Sequence, residues 1–172
     1  MKPKECNRRG MTLLELVIAS AMMAMLLTAV TLVLRTGRQA WEAHEGDFTR
    51  LEELHSTLRH IVRQVRQADS VTALSAANNN PGFLTLAMPD GSTVAWAHDS
   101  GTNTVKCGVT VADQLLASNI TALNFVGLKA DGVTVTSVPS EIQSLQISVS
   151  VQLPRETNAT RTYSSKAWIR SW

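Results

Sequence analysis

The spacing of apolar residues divides the chain into three stretches. Residues 11–34 form a nearly continuous apolar run, interrupted by a single charge at Glu15. Between residues 41 and 68 the apolar residues instead recur at steps of three and four, which places them on one face of a helix. These residues are Phe48, Leu51, Leu54, Leu58, Ile61 and Val65. Beyond residues 78–82 the period becomes two, so the pattern predicts a long helix followed by strands.

The first stretch is long enough to cross a membrane. As a helix, residues 11–34 would rise about 36 Å, whereas the hydrocarbon core of a bilayer is roughly 30 Å thick. A secretory signal would have a shorter apolar run ending in small residues at a cleavage site, and no such site follows this run. Because the basic residues precede the span, we expect a single pass with a cytoplasmic N-terminus and with the chain from Arg35 onward outside.

The second stretch is predicted to continue the anchor as an amphipathic helix. Gly37 and Gly46 each weaken a helix interior by about 1 kcal/mol, so a bend or break is expected near them. Arg59, Arg63 and Arg66 form a basic line beside the apolar stripe. This line is interpreted either as a solvated face or as a contact with a neighbouring subunit or with phospholipid headgroups.

The third stretch is predicted to be an antiparallel sheet. A hairpin is expected at 83–88 and 93–98, across the turn at 89–92. The remaining predicted segments are 104–111, a short 113–118, 120–128, 133–138, 141–153 and 162–169. A long helix followed by such a sheet is an α+β domain, and the apolar stripe would cover one face of the sheet.

Charge is concentrated at the N-terminus. The 172-residue chain has a formal net charge of +2. Lys2, Lys4, Arg8 and Arg9 against Glu5 give the first ten residues +3, which leaves −1 for the rest. A basic surface for nucleic acid is therefore not expected, and no nucleic acid is predicted among the partners.

Signatures of catalysis or metal binding are absent from the sequence. The four histidines have no Cys or carboxylate at zinc-ligand spacing, and no nucleophile or nucleotide-binding motif occurs. Asp90, Asp99 and Asp131 fall in predicted turns, where carboxylates are expected for backbone reasons, although calcium at one of them stays open. Cys107 is interpreted as a small buried residue. We therefore predict no enzyme activity, no cofactor and no metal.

Glu15 is the anomaly of the apolar run. A carboxylate at mid-membrane costs about 2.5–3.5 kcal/mol, less near the end of a span, and usually has a partner. Glu15 could snorkel to headgroups near the helix start, where the helix dipole favours an anion. Alternatively, cleavage after Gly10 would create an α-amine on Met11, four residues earlier, and would supply the missing cation.

The string Arg-Gly-Met-Thr-Leu-Leu-Glu-Leu at residues 9–16 resembles the type IV pilin-like superfamily. The resemblance implies a basic leader that a membrane prepilin peptidase cuts after Gly10, N-methylation of Met11, and a Glu15 that meets the N-terminal amine of a neighbouring subunit during assembly. Gly10 and Met11 would be the processing site and Glu15 the assembly contact. The family usually has Phe where this chain has Met11, which weakens the inference of methylation more than that of cleavage.

The C-terminal half is similar to the J-type minor pseudopilins of type II secretion. The resemblance lies in the short segment Leu115-Leu116, a strand ending near Phe125, an Asp-Gly turn at 131–132, and Val-Pro at 138–139 leading into a long strand. It also lies in the arginine-bearing end of the helix at residues 63–68. The alternatives are a minor type IV pilin for adhesion, motility or DNA uptake, and a plain membrane-tethered binding domain.

The pseudopilin resemblance implies an organisation and a set of partners. Residues 1–10 would be a cleaved leader, 11–34 a transmembrane and assembly helix, 35–70 an amphipathic helix and 71–172 a periplasmic sheet domain. The protein would be a non-enzymatic subunit of the periplasmic pseudopilus or its tip, anchored in the inner membrane, and would promote protein export. Expected partners are prepilin peptidase, other minor and major pseudopilins, the inner-membrane assembly platform and membrane lipid.

Overall fold

The computed structural model describes residues 12–154 and 159–169. Helix α1, Leu13–Gln67, is followed by β1, Ser70–Leu74, and β2, Phe83–Ala87. The next strands are β3, Thr93–Asp99, β4, Thr104–Val109, β5, Gln114–Ala117, and β6, Ile120–Leu128. A short 3-10 helix, Pro139–Glu141, leads into β7, Ser144–Gln152, and β8, Thr160–Trp168, ends the series.

The chain forms two compact units that divide between Ala43 and His44. The described part of the first unit is the N-terminal portion of α1, and its side chains are exposed. The second unit contains the rest of α1 and all the strands. The two units are described separately below.

The strands of the second unit form two antiparallel sheets. One sheet has the order β1-β2-β3-β4-β5 and the other the order β6-β7-β8, so each strand pairs with its neighbours in sequence. The predicted hairpin is confirmed as β2 and β3, with Leu84 opposite Trp96. The α+β prediction is also confirmed, with two sheets where the sequence pattern predicted one.

The C-terminal part of α1 packs its apolar stripe against both sheets. Leu54, Ile61 and Val65 are fully buried in the same core as residues of both sheets. Rings make two further contacts: His60 packs edge-on to Trp96 of β3 at 6.1 Å between centroids, and His55 lies 4.7 Å from the ring of Tyr163 of β8. The stripe therefore covers sheet faces, as the helical spacing predicted.

The N-terminal end of the predicted stripe is more exposed than expected. Leu51 is only partly buried, and 68% of Phe48 is exposed. The buried stripe thus begins at Leu54 rather than at Phe48.

The two sheets meet at Gly82. Its N–H donates to the carbonyl of Leu123 in β6, and its carbonyl accepts from the N–H of His98 in β3, both at 3.0 Å. The His98 Nε2 lies 2.8 Å from the carbonyl oxygen of Ile120. A Cβ on residue 82 would lie 2.2 Å from the Leu123 oxygen, so only glycine allows this close approach.

The helix itself departs from the prediction at three places. It is unbroken as an α-helix at Gly37 and Gly46, where a bend or break was expected. The structure ends α1 at Gln67 and uses residues 70–74 as strand β1, which the sequence pattern did not predict. Val71 of β1 is buried and pairs with Leu86 of β2, so pairing in the sheet outweighs the helical pattern there.

Two predicted strands also differ. The segment expected at 104–111 ends at Val109 because Thr110 has φ 72°, outside the range of a strand. The segment expected at 133–138 is a loop with a single bridge between Val135 and Leu128. Val133 and Val135 alternate with threonine as in a strand, but both valines are exposed and do not pack on an apolar surface.

Asp131 holds this loop in a turn. Its Oδ1 accepts from the N–H groups of Val133 and Thr134, each at 2.9 Å, and its Oδ2 accepts from the Thr134 hydroxyl. Gly132 has φ +68° and donates to the carbonyl of Lys129. These bonds close the turn locally and take up the backbone donors that a strand would use.

The hydrogen bonds to Asp131 predict that the stability of the protein depends on pH. The Thr134 hydroxyl, followed by the Val133 and Thr134 N–H groups, lowers the pKa of Asp131 from 3.8 to about 2. Its contribution to stability is therefore present above pH 3.8 and is lost as the pH falls toward 2. In urea melts of the full-length protein in detergent, we expect Asp131→Ala to lower the free energy of unfolding at pH 6. The difference in this free energy between the variant and the wild type should shrink progressively between about pH 4 and pH 2. An unchanged difference at low pH would contradict the role of the ionised carboxylate.

Candidate membrane and processing segment

Helix α1 begins with a reciprocal pair of hydrogen bonds between Thr12 and Glu15. The N–H of Glu15 donates to Thr12 Oγ1 at 3.3 Å, and the N–H of Thr12 donates to Glu15 Oε2 at 3.4 Å. The N–H of Leu16 donates to the Thr12 carbonyl at 3.2 Å, which starts the helical ladder. This arrangement is a capping box, in which two helix-end donors that lack a helical partner are satisfied by side chains.

The capping box gives Glu15 a defined place. Its carboxylate lies in the first turn of α1, where the helix dipole favours a negative charge. The Thr-x-x-Glu spacing that produces the box is visible in the sequence and gives Glu15 a role beyond its charge. Gly10 and Met11, the other two predicted site residues, lie outside the described residues.

The N-terminal unit presents an apolar surface on all sides of the helix. The best window of α1 has a mean hydropathy of 2.4, and none of that window is buried within the protein. Its large exposed apolar residues are Leu13, Leu14, Leu16, Val17, Ile18, Met22, Met23, Met25, Leu26, Leu27, Val30, Leu32, Val33 and Leu34. A helix that is apolar all round requires an apolar environment, such as a membrane or the interior of an assembly.

The polar side chains of this helix are satisfied by the helix itself. The hydroxyl of Ser20 donates to the carbonyl of Val17 at 2.9 Å, and that of Thr31 donates to Leu27 at 3.0 Å. The Thr28 hydroxyl likewise donates to the helix backbone. Internal satisfaction of this kind suits a medium without water. Glu15 is then the one ionisable side chain between Leu13 and Leu34.

In the second unit, the candidate polar residues have structural roles. Asp90 accepts from the N–H of Ser92 and Asp99 from that of Gly101, both at 2.9 Å, so their predicted turn roles are confirmed. No group of three or more His, Cys, Asp or Glu within residues 12–154 and 159–169 could hold a metal ion. Cys107 is partly rather than fully buried, and burial, with a smaller effect of Asp113, raises the pKa of its thiol. A raised pKa keeps this thiol protonated and unreactive.

Comparison with known proteins identifies the N-terminal segment. Residues 6–31 match the family of the prokaryotic N-terminal methylation motif. No curated protein and no solved structure matches the chain. The match covers the junction of leader and helix, including Gly10, Met11 and Glu15.

The motif has consequences for processing and assembly. It implies cleavage by prepilin peptidase and assembly with other pilin-like subunits, and the proteins that carry it are structural subunits. The apolar helix could anchor such a protein in a membrane. The prokaryotic N-terminal methylation motif, joined to an apolar helix and antiparallel sheets, indicates a type IV pilin-like protein.

Proposed function

We propose that the protein is a non-enzymatic minor pseudopilin of type II secretion, of the J type. Residues 1–10 are a leader removed by prepilin peptidase, and residues 11–34 anchor the subunit in the inner membrane and later pack in the filament core. The N-terminus is cytoplasmic and the sheet domain is periplasmic, since the basic residues precede the span. The subunit assembles with other major and minor pseudopilins on the inner-membrane platform and promotes protein export.

The observation that carries this proposal is the position of Glu15. It is the only ionisable side chain between Leu13 and Leu34, where the hydroxyls of Ser20, Thr28 and Thr31 bond to the helix backbone, and its Oε2 lies 3.4 Å from the Thr12 nitrogen. Standard bond lengths put the α-amine of a processed Met11 within about 4 Å of that nitrogen. An amine at this depth, on the same or an adjacent subunit, would offset the cost of the carboxylate. A plain membrane tether has no use for such a group.

The assignment to the J type is supported by the order of elements after α1. Leu115 and Leu116 lie in the short β5, and Phe125 lies in β6. The turn at Asp131 and the 3-10 helix at Pro139 then lead into the long strand β7. The order of these elements is the one on which the J-type resemblance is based, although β6 continues to Leu128 rather than ending near Phe125.

A minor type IV pilin is the second candidate, because the same N-terminal motif serves both kinds of filament. Deleting the gene in the native host and restoring it separately tests the choice. The proposal expects the deletion to reduce the amounts of secreted enzymes in the medium while surface piliation and twitching stay normal. Loss of piliation or of DNA uptake with normal secretion would instead favour the pilin.

Processing provides a direct prediction. In a host with prepilin peptidase, we expect the purified protein to begin at Met11, with methylation adding mass to its amine. Intact-mass spectrometry measures both. Replacing Gly10 with Val should leave the chain at its full length, because the resemblance implies that the peptidase cuts after a glycine.

A matched glycine provides the control for this prediction. Gly37 lies in the same N-terminal unit as Gly10. A Cβ at Gly37 would meet nothing within 4 Å, so Gly37→Ala should be processed like wild type. An intact Met1 start in the wild-type protein, or cleavage beyond residue 34, would remove the main support for the proposal.

A further inference from the structure

None of the described strands pairs with the outer edge of β8. Strand β8 is the end strand of its sheet, and β7 is its only partner among the described strands. The strand runs for nine residues, Thr160–Trp168, most of them exposed. An exposed edge strand of this length presents unpaired backbone groups that can accept a further strand.

The register identifies which backbone groups face outward. The N–H of Ile169 donates to Gln143 and that of Leu153 to Ala159, so the odd-numbered residues of this strand exchange hydrogen bonds with β7. In an antiparallel pair, the alternate residues point their N–H and C=O groups away from the partner. The outward-facing residues are therefore Thr160, Thr162, Ser164, Lys166 and Trp168.

A basic row of α1 lies beside this edge. Arg59, Val62, Arg63 and Arg66 share one helical face and, together with residues 166–168 of β8, line an open groove of about 760 Å³. None of the acidic side chains that the structure describes lines this groove. Among the described residues none forms an ion pair with the three arginines. A helix dipole explains a cation in the last turn, such as Arg66, but it does not explain Arg59, two turns earlier.

We propose that this groove binds an acidic, extended segment of another protein, which adds to β8 as a further antiparallel or parallel strand. The outward N–H and C=O groups of β8 pair with its backbone, and Arg59, Arg63 and Arg66 pair with its carboxylates. Alternate residues of a strand lie about 6.6 Å apart, and Arg59 and Arg63 lie about 6 Å apart along the helix axis. A segment with acidic residues at every second position therefore matches the spacing of Arg59 and Arg63.

The charges and the backbone edge select this occupant over others. A second copy of the chain pairing through its own β8 would bring two rows of arginines together, and like charges that face each other at an interface cost binding energy. Nucleic acid or lipid headgroups could satisfy the arginines, but neither has alternating backbone donors and acceptors to fill a strand edge. This proposal does not depend on which kind of filament the protein joins.

The test uses the full-length protein in phosphatidylcholine nanodiscs and a dye-labelled peptide with Glu and Thr at alternate positions. We expect binding in fluorescence anisotropy at low salt, and about tenfold weaker binding after Arg59, Arg63 and Arg66 are all replaced with Gln. Arg63→Gln alone should also weaken binding, whereas Arg35→Gln, which removes the same single charge from the same helix outside the groove, should bind like wild type.

Amide exchange distinguishes strand addition from binding by charge alone. By NMR, the peptide should slow hydrogen exchange at the outward amides of Thr162, Ser164 and Lys166 by about tenfold or more, while Tyr163 and Ser165, already bonded to β7, should change little. Two peptides that are N-methylated at their odd-numbered or at their even-numbered amides should differ in affinity, because only one of these two sets of amides faces β8.

Three results would overturn the proposal. One is the failure of the peptide to bind, and another is binding that leaves the outward amides exchanging as before. The third is displacement of the peptide by phosphatidylglycerol vesicles with the same dependence on the three arginines, which would make the groove a headgroup site. None of these results bears on processing at Gly10 or on secretion, so failure here is distinguishable from failure of the proposed function.

Discussion

Replacing Glu15 with Gln is expected to reduce incorporation into filaments, and with it protein export, by about tenfold or more. The proposed partner of Glu15 is the processed α-amine of Met11, and removing one member of an ion pair away from water leaves the other charge uncompensated, a cost of about 3–5 kcal/mol. Membrane insertion and cleavage at Gly10 should be unaffected, because neither requires the carboxylate. Filament incorporation can be measured by crosslinking and export by secreted enzyme activity, with each variant expressed at native level.

The capping box makes this substitution informative. Gln can replace Glu in a capping box, so Glu15→Gln removes the charge and keeps the cap, whereas Thr12→Ala removes a cap worth about 0.5–2 kcal/mol and keeps the charge. If assembly depends on the charge, Glu15→Gln and Glu15→Ala should be equally defective and Thr12→Ala nearly normal. Normal assembly of Glu15→Gln together with a defective Thr12→Ala would mean that Glu15 acts as a helix cap.

Replacing Ile61 with Ala is expected to destabilise the second unit by about 2–5 kcal/mol. Ile61 is fully buried between α1 and the sheets, and its truncation loses apolar burial and leaves a cavity. The free energy of unfolding of the full-length protein in detergent, followed by tryptophan fluorescence in urea, provides the measurement, since Trp96 lies in the same core.

Arg63→Ala is the matched control for this core substitution. Arg63 is exposed two positions further along the same helix, so its truncation should stay within about 0.5 kcal/mol of wild type. If the two substitutions had the same small effect, the helix would not be packed on the sheets as described.

The sequence predicted the elements whose patterns agree with their surroundings. The stripe of Leu54, Ile61 and Val65 is helical by spacing and buried in the structure, and the alternation in β2, β3, β6 and β7 matches their buried faces. The apolar run was also predicted as a helix from the sequence, and it is long and apolar enough to cross a membrane.

The differences arise where long-range contacts decide the conformation. The sequence of β1, Ser-Val-Thr-Ala-Leu, is short and has no breaker in front of it, so its strand identity comes from pairing with β2. The alternating valines at 133 and 135 suggested a strand, yet the bonds of Asp131 and the φ of Gly132 turn the chain instead. The junction of the two sheets depends on the close approach at Gly82, for which the sequence offers only a glycine after a proline.

The capping box was accessible from the sequence and still missed. Thr-x-x-Glu before an apolar run is a known helix start, so Glu15 has a role in capping the helix besides the role of its charge. The basic groove could be predicted only in part. The spacing of Arg59, Arg63 and Arg66 shows that they share a helical face, but only the tertiary structure places β8 beside them.

Strand order has a consequence for how the domain acquires its structure. In both sheets every strand pairs with its neighbours in sequence, β1 to β5 in one and β6 to β8 in the other. Contacts between neighbouring strands have short loops to close, and such topologies fold faster than those that pair distant segments. A chain that emerges in the order of its sequence can therefore pair β1 through β5 before β6 to β8 are present. The junction at Gly82 needs β6, so the union of the two sheets would be a late step in that sequence of events.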